Sequence, residues 1–422
     1  MTGDLPLGWE WVKLGDLGIE MRGQVKPEPG VTYDLYSVPA FPTRRPERVD
    51  GASIKSGKRS VQEDDVLLCK INPRINRVWV VAGADGFPQI ASTEYMILRL
   101  HDPQMAPAIR WYLSSPRFRD WIKLSVEGAT GSHTRAKSGP ILDQEIPLPP
   151  ACEQKRIVAT IEEHFSRLDA VEATQRRIIR QLNVLKSSLL SDAFDTNGDL
   201  PPGWGQKTIG EVAQVQLGRQ RSPQHHSGPQ MRPYLRSANV TWGGVCLDDV
   251  KEMNFDDADF ETYKLEPGDL LLNEASGSPG EVGKPVIWDG EIDNCCFQNT
   301  LLRLRSTEVN IRYLYWYCFA SALSGRFGDA GRGVNIRHLG KGGLAQFPMP
   351  VAPRDQQSQI AVQLDQQFEQ IKRLEQTAQE VLNRVAALRQ AVLAQAFAGK
   401  LVPQDPDDEP ALALLERIAA SR

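Results

Sequence analysis

The sequence has no apolar run that approaches the roughly 20 residues needed to cross a membrane as a helix. Its first residues, MTGDLPLGWEW, lack the basic patch and apolar stretch of a secretory signal. Cysteine is scarce, and the six cysteines include no C-x-x-C pair and no histidine partner at zinc-ligand spacing. These absences predict a cytoplasmic protein with buried free thiols and no metal site.

Excess positive charge and catalytic motifs are also missing. With 49 Lys and Arg against 53 Asp and Glu, the formal net charge is −4, so any surface for nucleic acid must be local. No Asn/Asp-Pro-Pro-aromatic motif of an amino-methyltransferase occurs, and no G-x-G-x-x-G motif follows a predicted strand. Segment 51–59 fails as a phosphate loop because Gly51 and Gly57 are one residue too far apart and Arg59 replaces the Ser or Thr that binds magnesium. We therefore expect no catalytic residue in this chain.

What the sequence does contain is an internal repeat. DLPLGW at 4–9 returns as DLPPGW at 199–204, and a turn with a short apolar strand at 62–68 has a counterpart at 266–272. A proline-punctuated strand at 146–150 corresponds to one at 347–351, where the prolines favour an edge strand. The residues between these motifs diverge, which suggests two related but unequal ligands.

A long helix is predicted after each globular module. Residues 152–194 and 355–397 contain no proline, and their apolar residues recur at spacings of three and four. Such a narrow stripe is typical of a helix that packs against another helix, and the two copies are natural partners. Beyond them, the acidic, proline-rich segment 403–410 predicts a flexible linker, and 411–420 predicts a short amphipathic helix that docks elsewhere.

Double-stranded DNA with two separated half-sites suits such a chain, because protein symmetry maps onto half-site spacing. A helix of about 40 residues, at ~1.5 Å per residue, is on the order of 60 Å long, which is enough to hold two modules one DNA turn apart. Two alternatives remain. One is a coiled-coil scaffold that joins two protein-binding modules without DNA, which the net charge would suit; the other is an enzyme with an unrecognised site.

Clusters of Arg, Lys and Asn are the candidate DNA contacts, because these side chains bond phosphates and the edges of guanine and adenine. In the first module the candidates are Arg44, Arg45, Lys58, Arg59, Lys70, Asn72, Arg74, Asn76 and Arg77, with Arg135 and Lys137 from a glycine-rich segment at 128–137. In the second module they are Arg219, Arg221, Arg236 and Asn239, with Arg332, Asn335 and Arg337 from the corresponding segment 328–337. A solvated surface loop is the alternative for each segment. The aromatic residues at 111–121 and 313–319 fall at helical spacing, which predicts core packing rather than base stacking.

The order of these motifs strongly resembles the specificity subunits of type I restriction-modification systems, over nearly the whole chain. The resemblance is carried by LPLGW at 5–9, LPPGW at 200–204, IPLPP at 146–150, FPMP at 347–350, the Ala-Phe helix ends and LLERI at 414–418. DVLLCKINP at 65–73 and GDLLLNE at 268–274 look like two different subtypes of the recognition domain of that family.

The resemblance implies an α+β fold with a pseudo-twofold internal repeat, in which two α/β target-recognition domains alternate with two long helices that pair as an antiparallel coiled coil. The predicted segments are recognition domain 1 at 1–150, spacer 1 at 151–198, recognition domain 2 at 199–351, spacer 2 at 352–400, and the acidic linker with the C-terminal helix at 401–422.

The function implied is that of a non-catalytic subunit that reads a bipartite, asymmetric DNA target. Its implied partners are two methyltransferase subunits, which use S-adenosylmethionine to methylate adenine N6, and two restriction subunits, which use ATP and magnesium.

Overall fold

The computed structural model describes residues 5–125, 134–195, 199–276, 281–330 and 337–420. It divides into two compact units: unit 1 comprises Met1–Gln175 with Glu380–Arg422, and unit 2 comprises Arg176–Gln379. Each long helix therefore contributes one part to each unit. The finer division into five segments stays a prediction.

Unit 1 combines short strands with helices. Its strands are β1 (Glu10–Lys13), β2 (Gly18–Met21), β3 (Thr32–Tyr36), β4 (Glu47–Asp50), β5 (Lys58–Ser60), β6 (Val66–Cys69), β7 (Val78–Val80), β8 (Gln89–Ser92), β9 (Tyr95–Leu100) and β10 (Glu145–Leu148). Its helices are α1 (Leu14–Leu17), α2 (Ala106–Ser114), α3 (Pro116–Leu124), α4 (Ser138–Leu142) and the first part of α5 (Ala151–Phe194).

Unit 2 has a similar mixture of elements. Its strands are β11 (Gly205–Thr208), β12 (Gln214–Leu217), β13 (Met231–Leu235), β14 (Val240–Thr241), β15 (Gly244–Val245), β16 (Lys251–Asn254), β17 (Leu270–Asn273), β18 (Ala275–Ser276), β19 (Pro285–Ile287), β20 (Cys296–Phe297), β21 (Leu301–Arg305), β22 (Arg337–His338) and β23 (Pro348–Val351). Its helices are α6 (Ile209–Val212), α7 (Asp257–Tyr263), α8 (Ile311–Leu323), α9 (Arg326–Ala330), α10 (Lys341–Ala345) and the first part of α11 (Arg354–Ala396). The rest of α11 belongs to unit 1, as does α12 (Ala411–Ala420).

Two four-stranded sheets and a two-stranded ribbon organise unit 1. The first sheet has the order β2-β9-β6-β7, the second has the order β4-β3-β8-β5, and β1 pairs with β10. Side chains alternate along β6, so Val66 and Leu68 join the core that contains the helices, whereas Leu67 and Cys69 pack toward the second sheet. Both faces of the first sheet are therefore buried.

Unit 2 repeats this plan with different details. Its largest sheet has the order β12-β21-β17-β19, and β17 again alternates between two cores, with Leu270 and Leu272 in one and Leu271 in the other. The second sheet has the order β16-β13-β20. The proline-punctuated strands β10 and β23 each pair with one strand only, which confirms the prediction of edge positions.

Both long helices begin after proline and form as predicted. The backbone N–H of Gln154 donates to the carbonyl of Pro150, and the N–H of Gln357 donates to the carbonyl of Pro353. Each glutamine side chain also donates backward, to the carbonyl of Pro149 or of Ala352, which satisfies a group at the helix entrance. Among the described helices, none is long and apolar enough to span a membrane.

Parts of the two long helices contact each other inside each unit. In unit 1, the guanidinium of Arg389 on α11 forms ion pairs with Asp169 and Glu172 on α5. In unit 2, Lys186 on α5 lies 2.7 Å from the carboxylate of Glu375 on α11. Charged side chains thus join the same two helices in both units.

The C-terminal segment corrects one prediction. Residues 403–410 are not a free linker, because Asp408 forms a two-point ion pair with Arg156 and Gln404 donates to the carboxylate of Glu153 at 2.7 Å. Apolar residues of α12, among them Leu414 and Ile418, then join the core of unit 1. The acidic composition suggested flexibility, but this segment has a cationic partner elsewhere in the chain.

Candidate nucleic-acid interface

The loop between β6 and β7, at residues 70–77, holds five of the candidate DNA-contacting residues of unit 1. It is closed at its base by the backbone N–H of Cys69, which donates to the carbonyl of Arg77 at 3.0 Å. Asn72 has a left-handed φ of 44°, and the N–H of Ile75 donates back to its carbonyl, which makes a tight turn. Arg74 is exposed at this turn. The loop therefore presents cationic and amide groups from one short segment.

The described end of the glycine-rich segment lies against this loop. The N–H of Asn72 donates to the carbonyl of Thr134, and the N–H of Ala136 donates to the carbonyl of Lys70. Arg135 is exposed there and bonds the carboxylate of Glu94 at 2.6 Å, and Lys137 is also exposed. The structure thus brings together two segments about 60 residues apart that the sequence identified separately. Residues 128–133 lie outside the described residues.

Burial affects three of the candidate cations at or near this loop. Lys58 is 8% exposed and donates to Ser56, and burial lowers the pKa of its ammonium. Arg59 donates to the backbone carbonyls of Met21 and Tyr95. Burial and the charge of Arg59 lower the pKa of Lys70. Lys58 and Arg59 are therefore occupied within the fold, which argues against direct DNA contacts from them.

Three other candidates of unit 1 lie elsewhere or are tied to neighbours. Arg44 bonds Asp169 on α5 at 2.9 Å, and Arg45 is exposed beside it. The side-chain amide of Asn76 donates to the carbonyl of Ser114 at 3.2 Å, which links the loop to the end of α2.

Unit 2 has a loop at the same position in its sheet, but with opposite charge. The N–H of Glu274 donates to the carbonyl of Thr300, as that of Lys70 donates to Glu94 in unit 1. The N–H of Leu339 then donates to the carbonyl of Glu274, and His338 lies 3.0 Å from the Glu274 carboxylate. The equivalent strand end therefore carries a carboxylate in unit 2 and an ammonium in unit 1.

The structure describes the candidates of the unit 2 glycine-rich segment only in part. Arg337 lies in β22, where it pairs with Ser276, and Arg332 and Asn335 lie outside the described residues.

Two candidates of unit 2 are placed inside the fold. Asn239 is 1% exposed, and its side-chain amide donates to the carbonyls of Cys246 and Asp249. Arg219 is 8% exposed and forms an ion pair with Asp259. Both are structural polar groups, which argues against the expectation that they contact DNA. Asp259 lies on α7, and Cys246 and Asp249 lie in the loop after β15, so the sequence alone did not show that these groups would meet.

The remaining two candidates of unit 2 are nearer the surface. Arg236 is half-buried and pairs with Asp249, while Arg221 is exposed.

Curated proteins that are similar to this chain include specificity subunits of type I restriction enzymes. No family model matches the chain. The EcoKI specificity subunit of Escherichia coli K12 is 25% identical over 344 residues, which cover 74% of this chain and 71% of that protein. The StySPI specificity subunit of Salmonella potsdam is 25% identical over 338 residues, with the same coverage of each chain. A 38-residue stretch is 60% identical to the EcoAI specificity subunit of E. coli, although it covers only 9% of this chain and 6% of that protein.

Solved structures agree on the fold. A chain from a type I R-M system, described for its complex assembly and conformational transition, superposes with a TM-score of 0.76 at 22% identity, covering 95% of this chain and all of that one. The HsdS subunit of Thermoanaerobacter tengcongensis gives a TM-score of 0.52 at 22% identity, covering 94% of this chain and 99% of that one.

The chain is a relative of the type I restriction enzyme specificity subunits. This confirms the resemblance stated from the sequence, and the scaffold without DNA recognition is not favoured. The two strand-end loops differ in charge between the units.

The aromatic clusters lie in the core, as predicted. Trp111 contacts Phe165 of α5 in unit 1, and Trp316 contacts Phe368 of α11 in unit 2. The cysteines are free, but Cys152 is exposed and Cys246 is half-buried, so the expectation of burial holds only for the other four. Within the described residues, no group of three or more His, Cys, Asp or Glu side chains could hold a metal ion.

Arg119, a buried cation of α3 near the unit 1 loop, is not among the residues predicted from the sequence. The residue is only 5% exposed. The pattern SPRFRD at 115–120 against SGRFGD at 324–329 could have drawn attention to it, because the second copy has glycine at the matching position. Burial itself was not readable from the sequence.

Proposed function

We propose that this chain is the DNA-reading specificity subunit of a type I restriction-modification complex, and that each unit reads one half of a bipartite, asymmetric target. The observation that carries the proposal is the relationship to curated specificity subunits over 74% of the chain. The placement of a polar loop at the end of the same strand in both units supports it, because such a loop can carry base-reading side chains on a rigid sheet.

Asymmetry of the target follows from the difference between the two loops. Unit 1 presents Lys70, Asn72 and Arg74, whereas unit 2 presents Glu274 and His338 at the equivalent strand end. Cations bond guanine edges and phosphates, and a carboxylate accepts from the cytosine amino group. The two half-sites therefore differ in their bases.

The long helices act as an antiparallel coiled coil in this proposal, and the two units are related by an internal pseudo-twofold repeat. Two observations support the antiparallel direction. Residues 169 and 172 of α5 pair with residue 389 of α11, whereas residue 186 of α5 pairs with the earlier residue 375. A coil of this kind sets the gap between half-sites, because each residue adds ~1.5 Å to its length.

Catalysis belongs to partner subunits in this proposal. Two methyltransferase subunits supply S-adenosylmethionine and methylate adenine N6, and two restriction subunits supply ATP- and magnesium-dependent translocation and cleavage. The phosphate contacts of the partners would add to the local cations of this chain, which offsets its net charge of −4.

Single-molecule methylation mapping tests the proposal directly. Genomic DNA is compared between cells that express this chain with its neighbouring methyltransferase and cells that lack the chain. A split, asymmetric, adenine-methylated motif that disappears with the chain is the expected result. If no motif depends on the chain, and its DNA affinity does not fall with salt, the protein is a scaffold rather than a DNA reader.

A further inference from the structure

Arg119 is a buried cation without a partner in the part of the chain that the structure describes. The residue is 5% exposed, and neither terminal nitrogen of its guanidinium has a hydrogen-bond acceptor. Burial lowers its pKa to about 10, and the nearby charge of Arg77 acts in the same direction. The group is still positive near pH 7, and a buried charge without compensation is costly.

In the loop at 70–77, by contrast, hydrogen-bond acceptors lack donors. The side-chain oxygens of Asn72 and Asn76 are buried without a donor. Asn76 lies near the start of α3, because its amide donates to Ser114, which immediately precedes the capping residue Ser115 of that helix. Unsatisfied acceptors of the loop and the unsatisfied terminal nitrogens of Arg119 thus occur in the same region of unit 1, where the charge of Arg77 also acts on Arg119.

Unit 2 shares one of these features and lacks the other among its described residues. The side-chain oxygen of Asn273, at the equivalent strand end, is also buried without a donor. Its loop is closed by the N–H of Asn273, which donates to Lys284 as Cys69 donates to Arg77, but the ammonium of Lys284 is paired with Glu281. In the SxRFxD pattern that the units share, the position of Arg119 is occupied by Gly328. Among the described residues, a buried guanidinium with both terminal nitrogens unpaired therefore occurs at this position in unit 1 and not in unit 2.

We propose that Arg119 is a positioning residue for the unit 1 loop at 70–77, and that the loop closes onto its guanidinium when DNA binds. In the unbound chain the donors of Arg119 and the amide oxygen of Asn76 are unsatisfied, whereas in the closed loop they bond each other. The free energy stored in these unpaired groups is released on binding, which couples recognition to a movement of the loop. This inference rests on the proposed DNA-reading function.

The test compares three variants of the full chain in complex with its methyltransferase. Arg119→Met removes the charge and keeps most of the side-chain volume, Arg119→Lys keeps the charge, and Arg117→Met is a matched control at an exposed position of the same helix. The probe is a duplex that carries the methylated motif found in the mapping experiment, and binding is measured together with the melting temperature of the unbound chain.

Arg119→Met is expected to weaken binding about tenfold or more while the melting temperature stays the same or rises, because an unpaired buried charge has been removed. Arg119→Lys should restore part of the affinity, and Arg117→Met should change neither quantity. A lower melting temperature with lost binding would show an ordinary structural role, and unchanged binding would show no role; either result overturns the inference. If the wild-type chain directs no motif, the proposed function itself has failed.

Discussion

Unit 1 and unit 2 share their supporting contacts and differ in their loops. Asp65 forms a two-point ion pair with Arg99 in unit 1, and Asp269 forms the same pair with Arg305 in unit 2. The contrast lies at the strand ends, where an ammonium in one unit corresponds to a carboxylate in the other. The buried contacts that recur in both units hold the sheets and helices in place, and the loops they support are free to differ in sequence.

The largest effect is expected from substitution of the two phenylalanines at the C-terminal ends of the long helices. Phe397 packs on Tyr112 in unit 1 at 5.2 Å between ring centroids, and Phe194 packs on Tyr313 in unit 2 at 5.4 Å. Truncation of either to Ala should cost about 3–5 kcal/mol. Hydrogen exchange measured by mass spectrometry should show loosening of unit 1 alone for F397A and of unit 2 alone for F194A. Equal loosening of both units by one variant would contradict their independence.

The buried ion pairs should give a somewhat smaller effect. Asp65 and Asp269 are each 1% exposed; Asp65→Ala leaves Arg99 without its carboxylate, whereas after Asp269→Ala the guanidinium of Arg305 still has Glu266 at 3.1 Å. We expect a loss of about 3 kcal/mol for Asp65→Ala and a smaller loss for Asp269→Ala, measured by denaturant unfolding. If removal of the aspartate leaves the free energy of unfolding unchanged in one unit, the ion pairs of the two units are not equivalent.

The loop charges should affect DNA and not the fold. Lys70→Glu gives unit 1 the residue type of unit 2, and it should reduce affinity for a motif-bearing duplex by about 1–3 kcal/mol and lower the salt dependence of binding. The matched control is Glu274→Lys, which should alter the bases accepted at the other half-site, as read from genomic methylation. Unchanged motifs in both variants would remove these strand ends from the interface.

The smallest effect should come from acid release of the C-terminal segment. The hydrogen bond from Arg156 holds the pKa of Asp408 below its usual value, so this contact stabilises the fold above the unfolded pKa of about 4 and is lost as pH falls further. Burial raises the pKa of Glu153, so its protonation comes first and has the opposite sign. Proteolysis of residues 405–420 should increase at low pH in the wild-type chain, whereas Asp408→Asn should be susceptible at all pH values. An identical pH profile in both would exclude this ion pair.

Much of the architecture was predictable because it depends on local and repeated patterns. Proline before each long helix and the three-and-four spacing of apolar residues predicted helices that the structure contains. The paired DLPxGW motifs indicated an internal repeat in the sequence. The candidate interface was less predictable. Lys70, Arg135, Asn239 and Arg219 were all identified from residue type and clustering. The last two are buried, because the fold places Asn239 against Cys246 and Arg219 against Asp259 of α7.

The sequence by itself showed an internal repeat of motifs, predicted two long helices and contained no recognisable catalytic motif, because repeats and periodicity are properties of residue order. Only the tertiary structure decided which cations remain exposed and that the acidic segment at 403–410 docks on Arg156 and Glu153. It also decided that, among the described residues, the buried terminal nitrogens of Arg119 have no acceptor. Burial and charge pairing depend on which residues far apart in sequence come into contact in the fold, and residue order alone does not specify those contacts.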